Sequence, residues 1–167
     1  MKKFLTILMI GLLALALAAC SPSENGEDGT PTENVAGTLE EILAQIYETV
    51  DVEEEQRDYF QNNLATTAFS TEEAEYYLGV NGLDFTEAIA SEPRMSSQAY
   101  SLCLLRANEG ADIDQMMVDI KENVNPYKWI CVGVEEDQVI VDHIGDLVIL
   151  IMSDQAEALH QAFLNLQ

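Results

Sequence analysis

Residues 138–152 read QVIVDHIGDLVILIM, two β-branched and aliphatic runs separated by a glycine and an aspartate. Gly145-Asp146 suits a tight primed turn, so Gln138 to Ile144 and Leu147 to Met152 are expected to form a β-hairpin. The same texture appears upstream in Gln98 to Ala107. There both alternating sets, Tyr100, Leu102 and Leu104 against Ala99, Cys103 and Leu105, are mostly apolar, which predicts a strand covered on both faces. Phe85 to Ala90 precedes it across Ser91-Glu92-Pro93-Arg94-Met95-Ser96-Ser97, whose proline and serines read as a hairpin connection. Trp129 to Val134 reads as a further strand.

Helical periodicity fills the gaps. Thr38-Leu39-Glu40-Glu41 has capping-box form, and Leu39, Ile42, Leu43, Ile46, Tyr47 and Val50 make one apolar stripe, predicting a helix from Leu39 to Val50. Asp51 to Phe69 is expected to be a looser helix or loop. Ser70-Thr71-Glu72-Glu73 opens a short helix ending at Gly79, and Asn81-Gly82 marks a turn. Asp112 caps a helix bearing Ile113, Met116, Met117, Ile120 and Val124, stopped by Asn125-Pro126. A last helix runs from about Gln155 to Leu166. The strands and helices thus echo a ββα pseudo-repeat. The expected fold is α+β: an antiparallel sheet of four to five strands, helices packed mainly on one face, and an N-terminal helical segment before it.

The chain has 167 residues, enough for a single domain, here placed at residues 38–167. Seven Lys and Arg stand against thirty Asp and Glu, a net charge of −23. Lys2 and Lys3 begin a segment that continues as an apolar run from Phe4 to about Leu17 and ends in Ala18-Ala19 before Cys20. It is shorter than the roughly 20 apolar residues of a spanning helix and closes in small side chains, as a signal peptide does. Leu17-Ala18-Ala19-Cys20 resembles the bacterial lipoprotein box, which implies cleavage after residue 19 and a diacylglyceryl group on the Cys20 sulfur. Two or three acyl chains, of the palmitate type, make a lasting membrane anchor where one does not. Localisation is therefore expected at the outer face of the cell membrane. Residues 20–37 hold one branched aliphatic residue among acids, prolines and glycines, the composition of a disordered tether. The seventeen residues after Cys20 span roughly 20–25 Å.

Without residues 1–19 the balance is five basic against thirty acidic side chains, a net of −25. That excludes nucleic acid as a partner, since phosphate contacts need Lys and Arg clusters. No calcium-loop pattern, phosphate loop or nucleophile signature is present, and neither His143 nor His160 stands at metal-ligand spacing from another His or Cys. No metal or cofactor is expected. A small hydrolase would use either carboxylates among the thirty acidic residues or Asp142 with His143. Cys103 and Cys131 form an even pair once Cys20 is acylated, compatible with a disulfide. Each lies among Leu, Ile and Val, and the preferred reading is two free, buried thiols.

Two stretches stand apart from the core pattern: residues 91–97 and Asn125-Pro126-Tyr127-Lys128-Trp129-Ile130-Cys131-Val132-Gly133. With Tyr76, Tyr77, Gly79 and the run Asp142 to Met152, the Ser-Glu-Pro and Lys-Trp-Ile-Cys-Val segments resemble a family of uncharacterised lipoproteins of low-GC Gram-positive bacteria, catalogued as a domain of unknown function. The likeness covers Leu39 to Met152 and implies a lipid-anchored extracytoplasmic domain with no assigned activity or cofactor. Read from the residues, Arg94 and Lys128 as scarce cations, Ser96 and Ser97 as hydroxyl donors and Trp129 as an apolar wall form a candidate pocket for a carboxylate-bearing peptide or sugar. The competing reading has Arg94 and Lys128 paired with local acids and Trp129 in the core. The expected function is a non-enzymatic module binding a protein, peptide or envelope component, with the hydrolase as alternative.

Overall fold

A computed structural model describes residues 34–95 and 97–166. The expected signal segment, Cys20 and the tether as far as residue 33 lie outside the described residues, as does Ser96. The fold is α+β, built on one five-stranded antiparallel sheet. In chain order the elements are α1 (Leu39–Thr49), α2 (Glu54–Asn62), β1 (Leu64–Ala68), α3 (Ala74–Leu78), β2 (Phe85–Pro93), β3 (Ser101–Ala107), α4 (Ile113–Asn123), a 3-10 turn (Glu136–Gln138), β4 (Val139–Ile144), β5 (Leu147–Met152) and α5 (Ala156–Leu164). The strands lie in the order β1-β2-β3-β5-β4.

The two strands read as most apolar, β3 and β5, take the centre and pair with each other from Ser101 opposite Met152 to Arg106 opposite Leu147. A central strand has neighbours along both edges and layers on both faces, so only a chain apolar on both alternating sets satisfies it. Leu102, Leu104, Ile149 and Ile151 face one layer with α1, α2 and α5. Cys103, Leu105, Val148 and Leu150 face a second layer with α3 and α4. Three helices share one face, and the other is covered as well. The ββα echo holds in element order only: β2-β3-α4 and β4-β5-α5 send their helices to opposite faces.

The capping boxes do what their residues dictate. Thr38 Oγ1 accepts from Glu41 N–H and Glu41 returns the bond to Thr38 N–H, starting α1. Asp112 accepts from Gln115 N–H at the start of α4. Gly79 ends α3 with φ of +79°, and a Cβ there would sit 2.2 Å from the Asn123 carbonyl oxygen, so glycine alone lets α3 and α4 meet.

Three expectations are corrected. Residues 51–69 contain a regular helix and then β1, an edge strand paired with β2 from Leu64–Pro93 to Ala68–Ile89. Trp129 to Val134 is a loop rather than a strand: Cys131 has φ of +61°, and Val134 N–H bonds back to the Pro126 carbonyl at 3.0 Å. The segment is apolar because Trp129 and Val134 plug the second layer from a loop. Order begins before Thr38. Val35 is buried in the first layer, and the Asn34 side chain accepts from Asp146 N–H at 3.1 Å.

Candidate functional site

The expected cation pocket divides. The Lys128 side chain is largely buried, and its ammonium pairs with Glu92 and donates to Ser101 Oγ at 3.2 Å. The rings of Tyr76, Tyr77 and Trp129 surround it with centroids 5.6–5.8 Å away. Trp129 packs into the second layer. Arg94 and Ser97 are exposed in the β2–β3 connection, and no described residue hydrogen-bonds either. A carboxylate ligand therefore has no open Lys128 to meet, which corrects that part of the sequence reading. Burying an ammonium requires a partner, and the chain supplies its own in Glu92.

The other cations are equally engaged. Arg57 donates to the Val50 and Val52 carbonyls below the end of α1. Lys121 donates to the Val139 carbonyl. Arg106 pairs with Glu87 at 3.1 Å and Asp146 at 3.0 Å, and donates to the Val35 and Gly37 carbonyls. Among the described residues Arg94 is the one cation with neither a hydrogen-bond acceptor nor an ion-pair partner, while Arg57 and Lys121 meet carbonyls alone.

Asp142 and His143 do not pair through their side chains. Neighbours on a strand point to opposite faces, so Asp142 turns to α5 and meets His160 Nε2 at 2.6 Å. The His143 ring donates from Nδ1 to the Gly145 carbonyl, 3.0 Å away. No described hydroxyl or thiol hydrogen-bonds either imidazole. Ser101, beside Lys128, is fully buried and hydrogen-bonded to Glu92. Cys103 lies in the core, where burial pushes its thiol up to about 11, away from thiolate. Cys131 is free but exposed, against the expectation of two buried thiols. No group of three or more metal-ligating side chains occurs among the described residues.

A cleft of about 410 Å³ lies between α2, residues 98–100 just before β3 and the loop after α4, so of the two singled-out stretches only the second lines it, through Val132 and Gly133. Ala99 and Tyr100 line it from the β2–β3 connection, and Val132, Gly133 and Val134 from the loop after α4. Gly133 sits where a Cβ would strike the Tyr127 ring at 2.2 Å, which keeps that wall close. Tyr59 on α2 donates its hydroxyl to Gln98 Oε1 at 2.8 Å, turning the Gln98 amide so that its NH2 is the free end. The Gln138 side chain accepts from Glu135 N–H at 2.9 Å through Oε1, leaving its own NH2 free among the described residues. Gln56 and Asp154 complete the polar lining. Burial and the Asp154 charge raise the Tyr59 phenol, so the hydroxyl stays a donor at neutral pH.

The cleft thus presents two oriented amide donors, a carboxylate acceptor and an apolar valine wall. None of the polar residues belongs to a motif: they come from four segments between positions 56 and 154, and only the nearby loops were visible as unusual. Among the described residues no helix is long and apolar enough to cross a membrane. Comparison with protein-family models, with curated proteins and with solved structures gives no match to this chain.

Proposed function

We propose that the protein is a lipid-anchored extracytoplasmic binding module whose cleft takes a neutral, N-acetylated saccharide of the cell envelope. The observation that carries the reading is the pair of cleft-lining amide groups, Gln98 and Gln138, each held by a bond to its oxygen, which leaves its NH2 unpaired among the described residues. Such donors suit an acetamido carbonyl, whose methyl would rest on Val132 and Val134. Asp154 accepts from sugar hydroxyls. Neutral ligands fit because Arg94 is the one described cation without a partner inside the protein, while the net charge is −23.

The proposed location rests on Leu17-Ala18-Ala19-Cys20. The chain enters the domain at the Arg106 and Asp146 end of the sheet, and the cleft lies at the Tyr100 end. Six residues of β3 separate them, about 20 Å at strand rise.

The binding reading is tested by titrating the full chain with tri-N-acetylchitotriose while following amide resonances. Shifts at Gln56, Gln98, Gln138 and Asp154, lost in Gln98→Leu and Gln138→Leu, are expected. Shifts spread elsewhere, or unaltered by those substitutions, would sink it. The anchor is tested by mass spectrometry of the native protein, which should start at Cys20 and carry fatty acyl groups.

A further inference from the structure

The sheet ends on two edge strands, β1 and β4, and they are finished differently. On β4 the Ser153 N–H bonds the Gln138 carbonyl, and with Val139 opposite Met152 this phase turns the backbone groups of Val139, Val141 and His143 outward. Side chains close two of those groups. Lys121 reaches over from α4 to the Val139 carbonyl, and Asp142 Oδ1 accepts from the His143 N–H at 2.7 Å. A lysine and a carboxylate laid on an edge guard it against pairing with another chain.

β1 carries no such guard. Phe69 N–H bonds the Ala88 carbonyl at 3.1 Å, which with Ala68 opposite Ile89 turns Ala65 and Thr67 toward β2 and Leu64, Thr66 and Ala68 outward. Pro93, opposite Leu64, agrees with this phase: it has no N–H to give, and none is asked of it. The outward N–H and C=O groups of those three residues meet no other described residue. Thr66, Thr67 and Ala68 are exposed. Tyr59 to Thr71 is also the longest run without a charged side chain between residues 34 and 166. In a chain of net charge −23 this is the stretch that a second acidic copy can approach, whereas a basic partner would be drawn to an edge flanked by acids.

We propose that two copies of the chain pair antiparallel through β1 about a two-fold axis at Thr66, joining their five-stranded sheets into one. In that register Leu64 faces the second copy's Ala68, Thr66 faces its own counterpart, and the outward groups of all three residues exchange backbone hydrogen bonds. Large meets small at both ends, and no acid meets an acid along the paired strands. Because α2 ends at Asn62, next to Leu64, the two copies of α2 lie at opposite ends of the seam. The surface is separate from the saccharide cleft and does not depend on it.

Sedimentation equilibrium of the full chain in a nonionic detergent, together with amide exchange, tests the pairing. The mass of two copies is expected, with a dissociation constant of roughly 10–100 μM because a short strand makes a small interface. Raising salt from about 0.05 to 0.5 M should tighten it by screening like charges. Exchange at Thr66 and Ala68 should slow as protein concentration rises, while Ala65 and Thr67, already bonded to β2, should not change. Thr66→Pro deletes one outward donor and none of the β1–β2 bonds, and Thr66→Glu sets two carboxylates face to face on the axis. Each should return the chain to a monomer, with slow exchange at Ala65 and Thr67 showing that β1 still pairs with β2. A monomer up to about 1 mM, a dimer that survives either substitution, or concentration-dependent protection at Val141 in place of Thr66 overturns the assignment.

Discussion

The ammonium of Lys128 and the carboxylate of Glu92 form an ion pair above the buried hydroxyl of Ser101, with the lysine side chain 8% exposed and the glutamate 19%. That exposure places the pair among buried ones, where removing one partner strands a charge. Lys128→Ala is expected to cost about 3 kcal/mol, and Lys128→Met with Glu92→Gln clearly less than the two single changes together. Urea unfolding of the singles and the double gives the comparison. A single-mutant cost below about 1 kcal/mol would mean a surface-type pair instead.

Arg106 holds the entry of the chain. Its guanidinium spans Glu87, Asp146 and the Val35 and Gly37 carbonyls, a fork that an ammonium cannot reproduce. Arg106→Ala should release residues 34–37, seen as faster amide exchange there, and lower stability by roughly 2 kcal/mol. Arg106→Lys should restore the pairing with acids and leave the exchange fast. Unchanged exchange at Val35 in Arg106→Ala would refute the clamp.

The two late cysteines differ in environment, one inside β3 and one on an open loop. A thiol reagent should modify Cys131 in the native protein and reach Cys103 only on unfolding. Mass mapping after native labelling checks this, and modification of Cys103 at the native rate of Cys131 would contradict the buried β3 thiol.

Alkaline pH should destabilise the fold. Burial raises the Cys103 thiol from about 9 to about 11, and raises the Tyr47 and Tyr100 phenols above their ordinary range. A group whose folded pKa is raised keeps its proton in the folded state, so its contribution is complete below the unfolded value and is lost as pH climbs to the folded one. For Cys103 that window runs from about pH 9 to 11 and amounts to roughly 2–3 kcal/mol. Cys103→Ala should flatten the decline of urea midpoint across that window, leaving the part set by Tyr47 and Tyr100.

Much of the architecture was legible because it depends on period. The stripe of α1, the caps at Thr38 and Asp112, the Gly145-Asp146 hairpin and the doubly apolar β3 each follow from residues within a few positions of one another. Where apolar content and periodicity part company, reading fails. Leu64–Ala68 has too little apolar weight to announce an edge strand, yet β2 supplies its partner. Trp129–Val134 has the weight of a strand but fills the second layer from a loop.

Charge was legible as a total and not as a destination. Five cations follow residue 19, and counting them cannot tell that Lys128 closes on Glu92 while Arg94 stays open. Likewise Asp142 stands next to His143 in the chain but bonds His160, because alternation along a strand separates neighbours and brings α5 to one face. The chain itself determined the fold class, the central strands, the acidic surface and the sequence marks of an anchor at Cys20, since each is a property of composition or local spacing. Only the tertiary structure decided which polar groups converge on a cleft and which are spent inside, because Tyr59, Gln98, Gln138 and Asp154 become neighbours through the packing of α2 and two loops against one end of the sheet.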